Sequence, residues 1–250
     1  MQRFRGRVVV VIGGNSGIGL ASAKAFANEG AQVIITGRDS DRLRTSAQEI
    51  GHNAIAHRSD ISDLVQIDAL FETVRKVFGH IDVLFVNAGV LAILSIESVT
   101  EADWDWIQGT NLKGVFFSVQ RALPLMSRGS TVVMTGSTAG RKAVPAASVY
   151  AASKAALRSL GRSLAAELVE RGIRVNVVSP GPIETPIFHR AEGLASEAVL
   201  ALRKSQVESV PMKRMGTPAE VAAAVLFLSS DAATFITGVD FLVDGGVASF

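Results

Sequence analysis

The 250-residue chain contains no cysteine, which excludes disulfides, thiol catalysis and thiolate metal sites. Neither sign of charge dominates. Lys and Arg total 25 against 23 Asp and Glu, and the basic residues are scattered rather than massed into a stripe, so a nucleic-acid footprint is not expected. The four histidines, His52, His57, His80 and His189, never fall at paired ligand spacing, and no metal site is expected from them. No apolar run approaches the roughly 18 residues of a membrane span. The short apolar run Val8–Ile12 follows early arginines but enters glycines at once, unlike a signal peptide. The expected location is the cytoplasm. Aromatic residues make up 6% of the chain, and only one of them, Tyr150, is a tyrosine.

What is present is an apolar chain, 48% hydrophobic, large enough for one sizeable core and near the size at which single cores stop growing. Short β-branched runs at 7–12, 32–36, 53–59, 83–87, 131–136, 174–179 and 240–243 predict strands, several of them continuously apolar, as where both faces of a sheet are covered. Helical patterns at 18–29, 41–50, 64–78, 101–127, 148–171 and 218–228 separate them. This alternation predicts a single α/β domain over 1–250: a doubly wound parallel sheet of about seven strands with right-handed crossovers and helices on both faces. The stretch 180–211 exceeds an ordinary connection, so a substrate-loop insertion is expected at about 183–212. The long helical patterns at 101–127 and 148–171 suit packing between subunits, and a homo-oligomer, dimer or tetramer, is expected.

The first predicted strand ends in Ile12-Gly13-Gly14-Asn15-Ser16-Gly17-Ile18-Gly19, with a helix directly after it. Glycines at 13, 17 and 19 allow a tight turn and close backbone approach to a pyrophosphate, while the helix N-terminus offers N–H groups to an anion. A ligand-free glycine turn would share this spacing. Two competing motifs fail: a phosphate-binding P-loop needs Lys and Ser or Thr where Leu20 and Ala21 stand, and a nucleophile elbow around Ser16 needs glycine at Ile18. A dinucleotide fits best. The second strand ends in Thr36-Gly37-Arg38, with no acid to hold a ribose 2′-hydroxyl and a guanidinium suited to a 2′-phosphate. That favours NADP(H) over NAD(H). Arg38 as a solvated charge, or one neutralised by Asp39, is the alternative.

Tyr150 and Lys154 stand four apart in a predicted helix, which places a phenol and an ammonium on one face. A nearby cation favours the phenolate and draws the phenol toward the working range for proton transfer. Ser137 upstream can hold a substrate oxygen.

Taken together, the chain closely resembles the short-chain dehydrogenase/reductase family over its whole length. The resemblance rests on Gly13-x-x-x-Gly17-x-Gly19, Asp60, Asn87-Ala88-Gly89, Asn111, Ser137, Tyr150-x-x-x-Lys154, Asn176 and Pro180-Gly181. It implies that Asn15, Ser16 and Ile18 join the glycines around the cofactor, that Asp60 and Ile61 approach the adenine, and that Asn87, Ala88 and Gly89 line the channel. It further implies that Ser137 orients a carbonyl oxygen and that Tyr150 delivers its proton. Lys154 would bond the nicotinamide ribose and Asn111 would hold a relay water. Past Pro180 and Gly181, the Ile183 backbone would lie near the nicotinamide amide and Thr185 near the phosphates. Asn111 as a mere helix kink and Asp60 as a mere helix cap remain open, and Asn176 reads as scaffold.

Three positions depart from the family pattern: Ile12 and Val86 replace a threonine and an asparagine, and Gly136 stands where a serine is common. The activity implied is an NADPH-dependent carbonyl reductase, or alcohol dehydrogenase in reverse. The residues expected to face substrate, at 90–94, 144–147 and 187–202 with Phe188, are mostly apolar, which favours an apolar or medium-sized ketone. A 3-oxoacyl-thioester reductase, with Arg128 and Arg171 greeting an acidic carrier protein, is the rival within this chemistry. A non-catalytic NADP-sensing protein is the rival outside it.

Overall fold

The structure, a computed structural model, describes residues 2–185 and 196–249, with 196–202 described in backbone only. In chain order the elements are β1 Val8–Ile12, α1 Gly17–Asn28, β2 Gln32–Gly37, α2 Ser40–Ile50, β3 Ile55–Arg58, α3 Leu64–Val77, β4 Ile81–Val86, α4 Glu101–Gln108, α5 Gly114–Ala122, β5 Met126–Thr135, α6 Ser148–Leu168, β6 Arg174–Pro180, α7 Ser196–Ser209, α8 Pro218–Ser229 and β7 Asp240–Val243. Among the described residues the strands form one parallel sheet in the order β3-β2-β1-β4-β5-β6-β7. The order reverses between β1 and β4, and ligands of such sheets bind beyond the strand C-termini at that point. This is the predicted doubly wound architecture. No helix among the described residues is long and apolar enough to cross a membrane.

All five residues of β1 are buried, because side chains that alternate with period two meet a helix layer on either face. Val10 and Ile12 pack with Leu84, Met134 and the inner sides of α3, α5 and α6. Val9 and Val11 turn the other way, toward Phe26 of α1, Leu43 of α2 and Val225 of α8. Side chains fix the helix starts: Asp39 Oδ1 accepts from the Asp41 and Arg42 amides, Asp63 caps α3, and Thr100–Asp103 and Thr217–Glu220 form capping boxes.

Three expectations need correction. The helix expected at 101–127 is two helices, α4 and α5, joined by a π turn over Gly109–Lys113, and residues 126–127 belong to β5. Asn111 lies inside that turn with its amide bonded to both backbone groups of Val90, and beyond Ala122 the path tightens into a 3₁₀ turn over Leu123–Leu125, where Pro124 lacks the N–H that α5 would need to continue. The strand expected at 53–59 shortens to β3 because His52 and Asn53 take positive φ of 52° and 60°. The insertion beyond 183 contains a helix, α7, which weak apolar periodicity hid. Ile187, Phe188 and the rest of 186–195, with His189, lie outside the described residues.

Candidate active site

The glycine turn occupies the switch point between β1 and β4. Gly13 has φ +81°, and a Cβ there would sit 2.7 Å from the Ala88 backbone; a Cβ on Gly19 would meet the Gly13 carbonyl oxygen at 2.0 Å. Only glycine lets the turn close on its neighbours. Ile12 O accepts from the amides of Asn87 at 2.9 Å and Ala88 at 2.8 Å, and Asn87 Nδ2 donates to Gly13 O at 3.0 Å. Thr135 Oγ1 in turn bonds Asn87 Oδ1 at 3.1 Å. The hydroxyl missing at Ile12 is matched from across the sheet, since Gly13 N donates to Thr36 Oγ1 at 3.3 Å. Gly17 takes φ +52°, Ser16 is the extended N-cap residue of α1, and the first turn of that helix holds no acid. This positive end, close to bare glycine backbone, fits an anionic pyrophosphate. Substituting Gly19→Ala should destabilise the fold by roughly 1–3 kcal/mol in chemical denaturation, because the added methyl meets rigid backbone.

Asn15 explains why no acid follows β2. Its side-chain amide fills the space where a Gly37 Cβ would go, at 2.5 Å, and the Asn15 backbone carbonyl accepts from Ser46 Oγ at 3.1 Å. Arg38 is 59% exposed in its side chain, and its Nη1 lies 4.0 Å from Asp60 Oδ2. Among the described residues Arg38 forms its ion pair with Asp60 and none with Asp39, whose Oδ1 caps α2. Arg58 Nε donates to Arg38 O at 3.1 Å, holding that backbone in place. Asp60 does not cap α3, which is the work of Asp63. Its Oδ1 instead accepts from the amide and hydroxyl of Ser62 at 2.9 and 2.8 Å. Ile61 is buried, with its carbonyl packed against Gly114 of α5.

The proton-transfer candidates converge at the ends of β4 and β5 and the start of α6. Ser137 takes extended φ just past β5, accepts from Ala139 N at 3.2 Å and stands near enough to the Tyr150 phenol to favour its charged form. Lys154, one turn beyond Tyr150, is 4% exposed; its Nζ donates to Thr135 O at 2.8 Å and stands 5.9 Å from the Tyr150 ring centroid. Asn111 is fully buried. Its Oδ1 accepts from Val90 N at 2.8 Å, and its Nδ2 donates to Val90 O at 2.9 Å and to Ser153 Oγ at 3.1 Å. Ser153 Oγ donates onward to Tyr150 O at 2.7 Å. Gly89 lies over this group, since a Cβ there would come within 3.3 Å of Asn111 Oδ1 and 3.4 Å of Lys154 Nζ.

Burial holds the Tyr150 phenol above its ordinary value, opposed by the Ser137 hydrogen bond. Burial lowers the Lys154 ammonium to about 8. The expected lowering of the phenol by its neighbouring cation is therefore not what this arrangement produces. The ammonium is turned onto the Thr135 carbonyl, and desolvation outweighs the hydroxyl.

Asn176 is scaffold, with its amide bonded to Ile236 O and Val239 N. Pro180 ends β6, and Gly181 N donates to Val243 O at 3.0 Å. Ile183 is buried and paired with Gly216, and Thr185 Oγ1 reaches Ile183 O at 3.4 Å. Two expected substrate segments are joined: Leu94 N donates to Ala146 O at 2.7 Å, with Ala146 at φ +58°. Arg128 and Arg171 bond the carbonyls of Glu170 and Leu123. Sequence reasoning missed Thr36, Thr135 and Ser153. Only Ser153, directly before Lys154, carried a positional signal.

A family profile described as enoyl-(acyl carrier protein) reductase matches residues 12–248. An oxidoreductase, AsL5, of Sarocladium schorii is 40% identical over 99% of this chain and 98% of its own length. An NADP-dependent (R)-specific alcohol dehydrogenase of Lentilactobacillus kefiri is 36% identical, covering 98% of each chain. The crystal structure of a dehydrogenase/reductase from Sinorhizobium meliloti 1021 superposes with a TM-score of 0.91 at 31% identity, covering 99% of this chain and 97% of that one.

Proposed function

The chain belongs to the short-chain dehydrogenase/reductase family, and from that premise we propose that it interconverts a ketone and a secondary alcohol with NADP(H), an apolar or medium-sized ketone being the substrate. The observation that carries this reading is the convergence of the Ser137 hydroxyl and the buried Tyr150 phenol, with Lys154 one helical turn on and Asn111 linked through Ser153 to the Tyr150 backbone carbonyl. Ser137 orients the substrate oxygen. Tyr150 gives it a proton in reduction and takes one in oxidation. Lys154 would hold the nicotinamide ribose and restore charge balance at the phenol, while Asn111 would support a water path to solvent. The backbone of Gly13 and of residues 15–19 would hold the pyrophosphate, Asp60 and Ile61 the adenine, and Asn87, Ala88, Gly89, Pro180, Gly181, Ile183 and Thr185 the nicotinamide end. Bound NADPH supplies the hydride.

The exposed Arg38 guanidinium and the absence of an acid at Gly37 support NADP over NAD. Substituting Arg38→Ala should raise KM for NADPH by roughly 10- to 100-fold, the loss of one charged hydrogen bond, and change KM for NADH by less than about threefold. Steady-state kinetics with both cofactors over a carbonyl panel tests the whole proposal. Failure of wild-type protein to oxidise NADPH with any carbonyl would leave a cofactor-binding protein without turnover.

A relative described as a 3-oxoacyl-(acyl carrier protein) reductase of Thermotoga maritima, 37% identical over 98% of this chain, favours a second reading, a 3-oxoacyl-thioester reductase. Comparing a free small ketone with a carrier-bound thioester separates the two. The engagement of Arg128 and Arg171 with backbone weakens their candidacy as a carrier-docking pair. We further propose a cytoplasmic homo-oligomer, dimer or tetramer, supported by Trp104, Trp106 and Phe116 standing exposed on α4 and α5.

A further inference from the structure

A partly buried ionic cluster joins β7, the turn after Ser137 and α6. Asp240, on the edge strand β7, has a side chain only 8% exposed. Its Oδ2 lies 2.8 Å from Arg141 Nε and 2.6 Å from Arg158 Nε, the latter an ion pair whose N–H is not aligned on the oxygen. Its Oδ1 accepts from Ser179 Oγ at 2.5 Å, and its backbone oxygen accepts from Arg141 Nη2 at 3.2 Å.

Each partner reaches the neighbourhood of Ser137. Ser179 Oγ fills the space above Gly136, where a Cβ would approach to 2.4 Å, so the glycine that departs from the family pattern makes room for this hydroxyl. On the other side, Arg158 Nη1 donates to Gly140 O at 2.9 Å, and Arg141 follows Gly140 directly. Gly140 rests on the backbone of α6, with a Cβ there meeting the Lys154 carbonyl carbon at 2.8 Å. Arg158 itself follows Tyr150 and Lys154 at successive four-residue intervals, on the same face of α6. One carboxylate therefore holds the serine that occupies the space above Gly136, the turn after Ser137, and the helix that carries Tyr150.

We propose that Asp240 is a positioning residue for the reaction, setting the separation of Ser137 and Tyr150 by pulling the 137–141 turn and α6 together through Arg141 and Arg158. The inference rests on reading Ser137 and Tyr150 as the proton-transfer pair. Without the carboxylate, two guanidiniums converge on each other with no anion between them, and the turn and helix they belong to are pushed apart. A merely structural cluster would change stability alone. A positioning cluster must also change the Ser137–Tyr150 contact.

The single tyrosine makes that contact directly observable. In protein labelled with 13Cζ-tyrosine, one resonance reports phenol hydrogen bonding at neutral pH, and Ser137→Ala gives its position without the serine bond. In Asp240→Asn the resonance should move clearly toward the Ser137→Ala position. Turnover should fall by up to about 10²-fold, the range expected for a reacting group displaced by remote change, while KM for NADPH stays within about threefold. Asp240→Glu should recover part of both. The surface pair variant Arg121→Gln should change neither.

An unchanged resonance with unchanged turnover, whatever happens to Tm, overturns the proposal. Should Asp240→Asn not fold, Arg141→Gln keeps the Arg158 pair and should show smaller shifts of the same sign; wild-type values there overturn it equally. If the wild-type protein turns nothing over, the proposed function fails, and the resonance still decides whether Asp240 sets the Ser137–Tyr150 contact.

Discussion

Replacing Tyr150 by phenylalanine is expected to reduce turnover by on the order of 10³-fold or more while leaving the NADPH dissociation constant within a few-fold of wild type. The variant keeps the ring and loses the phenol oxygen beside Ser137. Proton transfer by a positioned group contributes about 10²–10⁴-fold. The Ser153 hydroxyl does not replace it, since Ser153 Oγ is already bonded between Tyr150 O and Asn111 Nδ2. Single-turnover kinetics with fluorescence titration of NADPH separates chemistry from binding. Retention of most activity would remove Tyr150 from the mechanism and with it the proposed reaction.

Strands and glycine turns were legible in the sequence because each is written in consecutive residues. A run such as Val8 to Ile12 can only be buried on both faces, and Gly13, Gly17 and Gly19 stand where a side chain would strike backbone or where φ is positive. The Tyr150–Lys154 pairing was legible for the same reason, as one helical turn. What escaped notice depends on partners far apart in the chain. The π turn at Asn111 exists because Val90, 21 residues earlier, offers both its backbone groups to one amide. Thr135 contributes through its carbonyl, which every residue type possesses, so no composition signal marks it.

The electrostatics of the site shows the same limit. Spacing alone says that the ammonium and phenol share a face and not which neighbour the ammonium selects. In the structure it selects a backbone carbonyl and is almost wholly desolvated. Burial then governs both groups, raising the phenol and lowering the amine. Gly136 teaches the converse lesson. As a departure from pattern it looked like a loss, yet it is matched by Ser179 and Asp240, two residues that only the fold brings beside it.

The second large effect concerns Lys154, where function and stability should oppose each other. Its ammonium falls from an ordinary 10.5 to about 8 on burial, so the folded protein holds this proton less tightly than the unfolded chain does. Between about pH 8 and pH 10.5 the unfolded state binds more protons, and stability contributed by this site rises with pH through that window. Below pH 8 the full penalty of burying the charge is present. A shift of this size corresponds to about 3 kcal/mol, and losing the hydrogen bond to Thr135 O removes about 1 kcal/mol, so Lys154→Met should gain on the order of 2 kcal/mol at pH 7. For a chain of this length that raises Tm by roughly 4–8 °C. The gain should vanish as pH approaches about 10.5 and reverse above it, where the wild-type lysine is neutral in both states and only the lost hydrogen bond, about 1 kcal/mol, remains. Turnover should meanwhile fall by on the order of 10²-fold or more, because no ammonium remains to compensate the charge that develops on Tyr150 during proton transfer. Thermal unfolding from pH 6 to 10.5, alongside turnover at neutral pH, tests both halves. A less stable variant at pH 7 would mean that the ammonium is stabilised by its surroundings rather than tolerated for its chemistry, as a functional group held at a cost to the fold requires.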